Sequence, residues 1–314
     1  MSPRSDRKLA ITATLLCFAA SGQTTMLALQ VRNLVLAGNT GSARQLLDEV
    51  RKAAGTVPAY IEALSWIGRG ALNARNYAEA ESNAEEVRKL CLDQLAHRKL
   101  DAEPALPMAL SASIEIQTQV AVEQGRRDQA VAFLRTELKR WYATSIRARI
   151  QKNLNLLTLE GKPAPPLDVT HALTPHKLQT LAQHRGHPIL LFFWAHWCSD
   201  CKNEIPIITR VEQVYGKRGL QMIAPTQHYG YVAGGQDASP AIETPYIKAV
   251  YQQYYAGLGD IEIPLSEENF ANYGVSTTPT IVLIDSQGIV RLYNPGNIPY
   301  NQLAAKVESV LRPT

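Results

Sequence analysis

At 314 residues, with 46% apolar and 19% charged residues, the chain is long enough for two globular domains, each with its own core. A formal charge of +4 without a long run of Lys or Arg excludes a phosphate-tracking surface, so nucleic acid is not an expected partner. Four cysteines in so large a chain exclude a disulfide scaffold.

Residues 1–22 read as a signal peptide. Arg4, Arg7 and Lys8 form a basic leader, Leu9 to Ala20 is a short apolar run, and Ala19 or Ala20 precedes the small pair Ser21-Gly22. The run falls short of the roughly 18 apolar residues of a spanning helix. The mature protein is therefore expected to be exported, to the periplasm or the outer face of the cell envelope. A lipid anchor on Cys17 is disfavoured because Leu16 stands where a small residue is needed.

Residues 23–158 are helical in pattern and rich in Ala, Leu, Glu, Arg and Gln. "ARQLLDEVRK" from Ala43 is echoed 37 residues later by "AESNAEEVRK" from Ala80, and more weakly by "QAVAFLRTEL" from Gln129. Each echo follows a short polar turn, which resembles stacked tetratricopeptide-type hairpins; a plain helical bundle is the alternative. Cys91 falls mid-helix and reads as a buried small apolar residue. Such a domain suits docking of a protein partner. The prolines of "LEGKPAPPLD" then end the helical pattern, making residues 159–166 a linker.

Residues 167–314 alternate β and α. Pro188 to Trp194 is a continuous apolar run, as expected of a strand buried on both faces. A helix follows from Cys198 to Gly216, then a strand from Leu220 to Ala224 and helices over Tyr246–Tyr255 and Glu267–Gly274. Thr280–Asp285 and Ile289–Asn294 form a hairpin, and a last helix closes the chain. Residues 226–245, rich in Tyr and Gly, are expected to be a mobile flap or a decorated loop.

Cys198 and Cys201 lie where the buried strand gives way to its helix. A helix N-terminus lowers a thiol pKa, so Cys198 suits an attacking thiolate and Cys201, one turn on, a resolving thiol. Zinc would need two further ligands. His176, His184 and His187 are scattered over a polar helix and loop and read as solvated surface groups, so no metal and no cofactor beyond a redox-active disulfide is expected. A structural disulfide closing so short a loop would add little stability.

"FFWAHWCSDC" followed by "YGVSTTPTIVLIDSQGIV" resembles the thioredoxin fold, and most of all the exported TlpA/ResA branch of thiol–disulfide oxidoreductases. The fold class this implies is an α/β thioredoxin-like domain, a central mixed sheet flanked by helices, behind an all-α tetratricopeptide-like domain. The resemblance assigns attack to Cys198, resolution to Cys201, proton handling to Glu204, and substrate orientation to a cis-proline loop at Thr278-Pro279. Trp197, His196, Ser199 and Asp200 surround the pair: a protonated His196 would favour the thiolate and Asp200 oppose it. Phe192 stands where thioredoxin itself carries an aspartate, and Pro206 is expected to kink the helix beyond Glu204. The implied partners are protein thiols and disulfides, an electron-donating membrane thiol relay, and a protein docked on the helical domain. The competing function is a redox-sensing or passive adaptor working through that domain.

Overall fold

The computed structural model describes residues 25–175 and 177–311. The leader at 1–22, Cys17 with it, and His176 lie outside the described residues. The N-terminal half consists of α1 (Met26–Leu36), α2 (Thr40–Ala54), α3 (Pro58–Asn73), α4 (Tyr77–Leu95), α5 (Ala105–Glu123), α6 (Arg127–Arg140) and α7 (Arg147–Thr158).

The first six helices pair as hairpins with one turn geometry. In each turn a left-handed residue follows the first helix: Gly38 at φ 77°, Arg75 at φ 59° and Gly125 at φ 76°. The next amide then reaches back to the helix, as Asn39 N–H to Leu34 O, Asn76 N–H to Ala71 O and Arg126 N–H to Ala121 O, at 2.8, 2.8 and 2.7 Å. This is the glycine-favouring helix end, and Arg75 occupies it at a steric cost that glycine avoids. Arg75→Gly is expected to stabilise the protein by about 0.5–1 kcal/mol, read as a raised urea midpoint with an unchanged slope. Repeated turn geometry and echoed sequence have one cause: each hairpin solves the same packing problem against its neighbours.

Small residues let these helices approach closely: Ala28, Ala63 and Ala109 are fully buried in one cluster with Ile61, Ile67 and Leu110, and Ala84 in another with Ile116 and Val120. One charge network ties α3, α5 and α7. Burial pushes the Glu115 carboxyl upward, yet Arg149, Lys152 at 3.3 Å and Arg69 at 3.6 Å hold it down at about 2. Cys91 is fully buried, and desolvation pushes its thiol up to about 12, so it is inert packing as expected.

The C-terminal half is built on strands β1 (Ile189–Phe193), β2 (Gln221–Ile223), β3 (Thr280–Ile284) and β4 (Val290–Pro295), in the order β2-β1-β3-β4. β1 runs parallel to β2 and antiparallel to β3, and β3 and β4 form the hairpin. Alternation along β1 feeds two cores. Leu190 and Phe192 pack with α8 (Ser199–Tyr215), α9 (Pro240–Tyr254) and α11 (Tyr300–Leu311), while Ile189, Leu191 and Phe193 pack towards α10 (Glu267–Tyr273). An apolar run without polar interruptions was therefore the right signature for this strand.

Several expectations need correction. Residues 159–166, expected to be a linker, dock on β4: Gly161 N–H and Ala164 N–H donate to Val290 O and Gly288 O, and Val290 N–H returns to Lys162 O. Pro163, Pro165 and Pro166 lack amides, which confines this strip to sporadic edge pairing. Residues 262–265, for which the sequence suggested no strand, extend the sheet beyond β2 through Ile223–Glu262 and Thr226–Leu265 bridges. The segment containing His184 forms turns, and His184 is buried between Gln221 and Glu262 rather than solvated; His187 is exposed. α9 begins at Pro240, six residues before the expected start, because Ser239-Pro240 is a favourable helix entry whose missing N–H costs nothing there. Pro206 lies inside α8, beyond Glu204, where the sequence placed it.

The halves meet through α7. Arg147 forks onto Glu268 at 2.9 and 3.1 Å and also reaches Asn272, while Asn155 donates to Tyr273 O at 2.9 Å. Gly274, at φ 64°, lets the α10 terminus touch α7: a Cβ there would lie 2.3 Å from Lys152 N.

Candidate redox site

Sheet topology gathers the site at one end of the sheet. Phe193, the last residue of β1, pairs with Thr280, the first of β3, and Thr280 pairs with Pro295 at the end of β4. Residues 194–198, the Thr278-Pro279 loop and residues 296–298 are thereby brought to one edge, although they are spread over about 100 residues of chain. The Thr278–Pro279 peptide bond is cis. Pro279 is buried and its carbonyl accepts from Gly296 N–H at 2.7 Å, and the Thr278 hydroxyl is buried with no hydrogen-bond partner.

Cys198 and Cys201 form a disulfide. Cys198 is the N-cap of α8, and its Sγ accepts the Cys201 N–H at 2.9 Å. At a helix N-terminus the first amides lack intrahelical acceptors, so negative charge on this sulfur would be met by a hydrogen bond and by the positive end of the helix dipole. The pair sits at the rim of the core: Cys201 is fully buried and Cys198 only 3% exposed, whereas adjacent Trp197 is 49% exposed. In the oxidised state Cys198 is thus less open than the sequence suggested, because its sulfur turns towards Cys201 and the helix end. Ser199 and Asp200 are exposed on the first turn. Among the described residues no group of three or more His, Cys, Asp or Glu is placed to hold a metal.

Glu204 is 1% exposed, not on the helix surface, and lies on the Cys201 face one turn along. Burial raises its carboxyl pKa, opposed by the Ile298 N–H bonded to Oε1 at 3.1 Å and by Asn297. Asn297 also donates to the Asp200 carbonyl at 3.4 Å, tying the 296–298 loop to the start of α8. The role of residues 297–298 was not legible in the sequence, since only the β4 register delivers them here.

His196 is buried. Burial lowers its pKa, against the opposing pull of Glu243 at 3.2 Å from Nε2. The shift runs against the protonated form, the one expected to favour a Cys198 thiolate. Around it the rings of Tyr229, Tyr231 and Tyr246 stand edge-on at 5.3–5.4 Å. Glu243, fully buried, accepts from the Tyr229 and Gly230 amides at 2.6 and 2.9 Å. Residues 229–230 are thus joined to α9 through the Glu243 side chain. Phe192, at the position of thioredoxin's aspartate, is fully buried among apolar neighbours. Trp194 donates from Nε1 to Ala224 O and stacks near Tyr251 and Tyr255, anchoring the strand from which the redox loop departs.

Comparison with known proteins places this geometry among relatives. The family described as "Thioredoxin-like domain" matches residues 175–311. The thiol:disulfide interchange protein DsbE of Pseudomonas aeruginosa is 29% identical over 133 residues, covering 42% of this chain and 64% of that protein. The thiol-disulfide oxidoreductase ResA of Geobacillus thermodenitrificans is 25% identical over 130 residues, covering 41% of this chain and 67% of its own. A crystal structure of a thiol:disulfide interchange protein from Chlorobium tepidum superposes with a TM-score of 0.38 at 19% identity, over 49% of this chain and 98% of that one. The N-terminal helical half falls outside the family match.

Proposed function

Since its residues 175–311 form a thioredoxin-like domain, we propose that this protein is a thiol–disulfide oxidoreductase that reduces protein disulfides through Cys198 and Cys201. The observation that carries the reading is Cys198 as N-cap of α8, its sulfur bonded to the Cys201 amide. In the reduced enzyme the Cys198 thiolate attacks one sulfur of a substrate disulfide. The S–S bond breaks, a mixed disulfide forms at Cys198, and the first substrate thiolate leaves. Cys201 passes its proton to the buried Glu204 carboxylate, and its thiolate attacks Cys198 Sγ to release the second substrate thiolate. Two electrons have moved from the cysteine pair to the substrate, leaving the disulfide present in this structure.

The Thr278-Pro279 loop orients the substrate segment in this scheme, and Trp197 forms its exposed rim. No helix among the described residues is long and apolar enough to cross a membrane. Return to the dithiol requires two electrons from an external dithiol. For an exported protein, the location that residues 1–22 argue for, a membrane thiol relay is the fitting source. The helical half is proposed to dock a protein partner. The test is turnover: protein reduced beforehand, then desalted, should reduce insulin disulfides stoichiometrically, and catalytically with dithiothreitol present. A pair that dithiothreitol reduces but that leaves insulin untouched would overturn the reading.

A further inference from the structure

We propose that Glu243 is a positioning residue that governs which disulfides reach Cys198, by holding residues 226–239 as a stiff aromatic wall beside the redox pair. The proposal rests on the oxidoreductase reading above and adds a determinant of substrate class. A carboxylate removed from water is costly unless its oxygens are matched by donors. Glu243 is fully buried, and two amides donate to it, Tyr229 N–H to Oε1 and Gly230 N–H to Oε2, while His196 Nε2 packs 3.2 Å from Oε1 without hydrogen-bond geometry; these are its three nitrogen neighbours. Two of these belong to the wall and the third to the redox loop, two residues before Cys198. One side chain on α9 thereby connects both.

The wall is tied at further points. Thr244, next to Glu243 on α9, has its hydroxyl 2.8 Å from His228 Nε2. Residues 230–238 close on themselves through Val232 N–H to Gln236 O and Ala238 N–H to Gly230 O, both 2.8 Å. At the base, the Thr226 hydroxyl donates to Trp194 O at 3.0 Å. The Tyr229 ring then meets the half-exposed Trp197 ring edge-on, with centroids 5.5 Å apart. Tyr229 and Gly230 also line a cleft of about 740 Å³ between the halves, whose opposite side is formed by Tyr142 and Arg147 of the helical half. A bulky partner reaching the nearly covered Cys198 must rest on Trp197 and this wall, whereas a small disulfide needs far less surface.

That difference in size is what an experiment can read. The variants are Glu243→Ala, Glu243→Gln and Thr244→Val, assayed with insulin as a protein disulfide and glutathione disulfide as a small one. Melting temperatures establish which variants are folded. Glu243→Ala is expected to lose about tenfold in kcat/KM on insulin, mostly through KM, and to stay within about twofold on glutathione disulfide. Glu243→Gln keeps an oxygen for the Tyr229 amide and should recover most of the insulin activity, and Thr244→Val should show a smaller loss of the same kind. Should Glu243→Ala not fold, Thr244→Val carries the same comparison. Equal losses on both substrates, or no loss on insulin in folded Glu243→Ala and Thr244→Val, would overturn the proposal. A wild-type enzyme inert towards both substrates would instead defeat the oxidoreductase reading, and this proposal with it; a wild type active on both without the split in the variants defeats this proposal alone.

Discussion

Replacing Cys198 with serine is expected to abolish disulfide exchange, while replacing Cys201 with serine should leave a protein that starts the reaction and cannot finish it. The two thiols differ in environment by construction. Cys198 Sγ receives the Cys201 amide at the N-terminus of α8, the arrangement that stabilises a thiolate, whereas Cys201 is sealed within the helix and the core. A serine hydroxyl at 198 stays protonated at neutral pH and cannot form the mixed disulfide. Insulin reduction should fall by on the order of 10³-fold or more, the scale seen when a covalent nucleophile is removed. Cys201→Ser should instead accumulate a substrate adduct, visible as a mass increase that dithiothreitol removes. Serine can hold the N-cap, so both variants should fold. An adduct at position 201 in Cys198→Ser would reverse the assigned roles. Retained turnover in Cys198→Ser would end the mechanism.

The second large effect is expected at Glu204. The carboxyl is buried beside the resolving cysteine, and desolvation raises its pKa against the Ile298 amide and Asn297. Glu204→Gln keeps an oxygen for the Ile298 amide but removes the proton acceptor, so release of the mixed disulfide should slow by about 10²-fold. First attack by Cys198 should be little changed, a separation that single-turnover kinetics can resolve. The pH behaviour has a definite sign. A carboxyl whose pKa is raised in the fold binds its proton more tightly folded than unfolded. Stability from this group is therefore greatest when it is protonated, and declines as pH rises from the ordinary carboxylate pKa through the raised one. Glu204→Gln should lose that segment of the stability–pH curve and be at least as stable as wild type at neutral pH. A variant that is faster in release, or markedly less stable at neutral pH, would show that Glu204 serves the 296–298 loop alone.

The sequence discloses these features unequally. Glu204 could be named from its place three residues beyond Cys201, yet whether it was a surface group or a buried base was open; the β4 register decided it by setting Ile298 against the carboxyl. His196 could also be named, but the burial that lowers its pKa, and Glu243 beside it, were not visible in the sequence. Glu243 went unnoticed because its amide partners lie 14 and 13 residues away in a segment that reads equally as a mobile flap or a decorated loop. His184, taken for a solvated group, is enclosed by Gln221 and Glu262, which the fold of the sheet brings to it.

What the sequence alone determined is whatever is written within one or two helical turns or one strand: the five apolar residues of β1, the helix beginning at the cysteine pair, and the three hairpin turns at Gly38, Arg75 and Gly125. Such features arise from dihedral preference and from periods of two and 3.6 residues, which neighbours in sequence suffice to establish. Only the tertiary structure decided the electrostatics and the docking of the proline-rich strip at 159–166 onto β4. A group's protonation depends on how much water the fold removes around it and on which distant donors arrive, and neither is a property of a short stretch of chain.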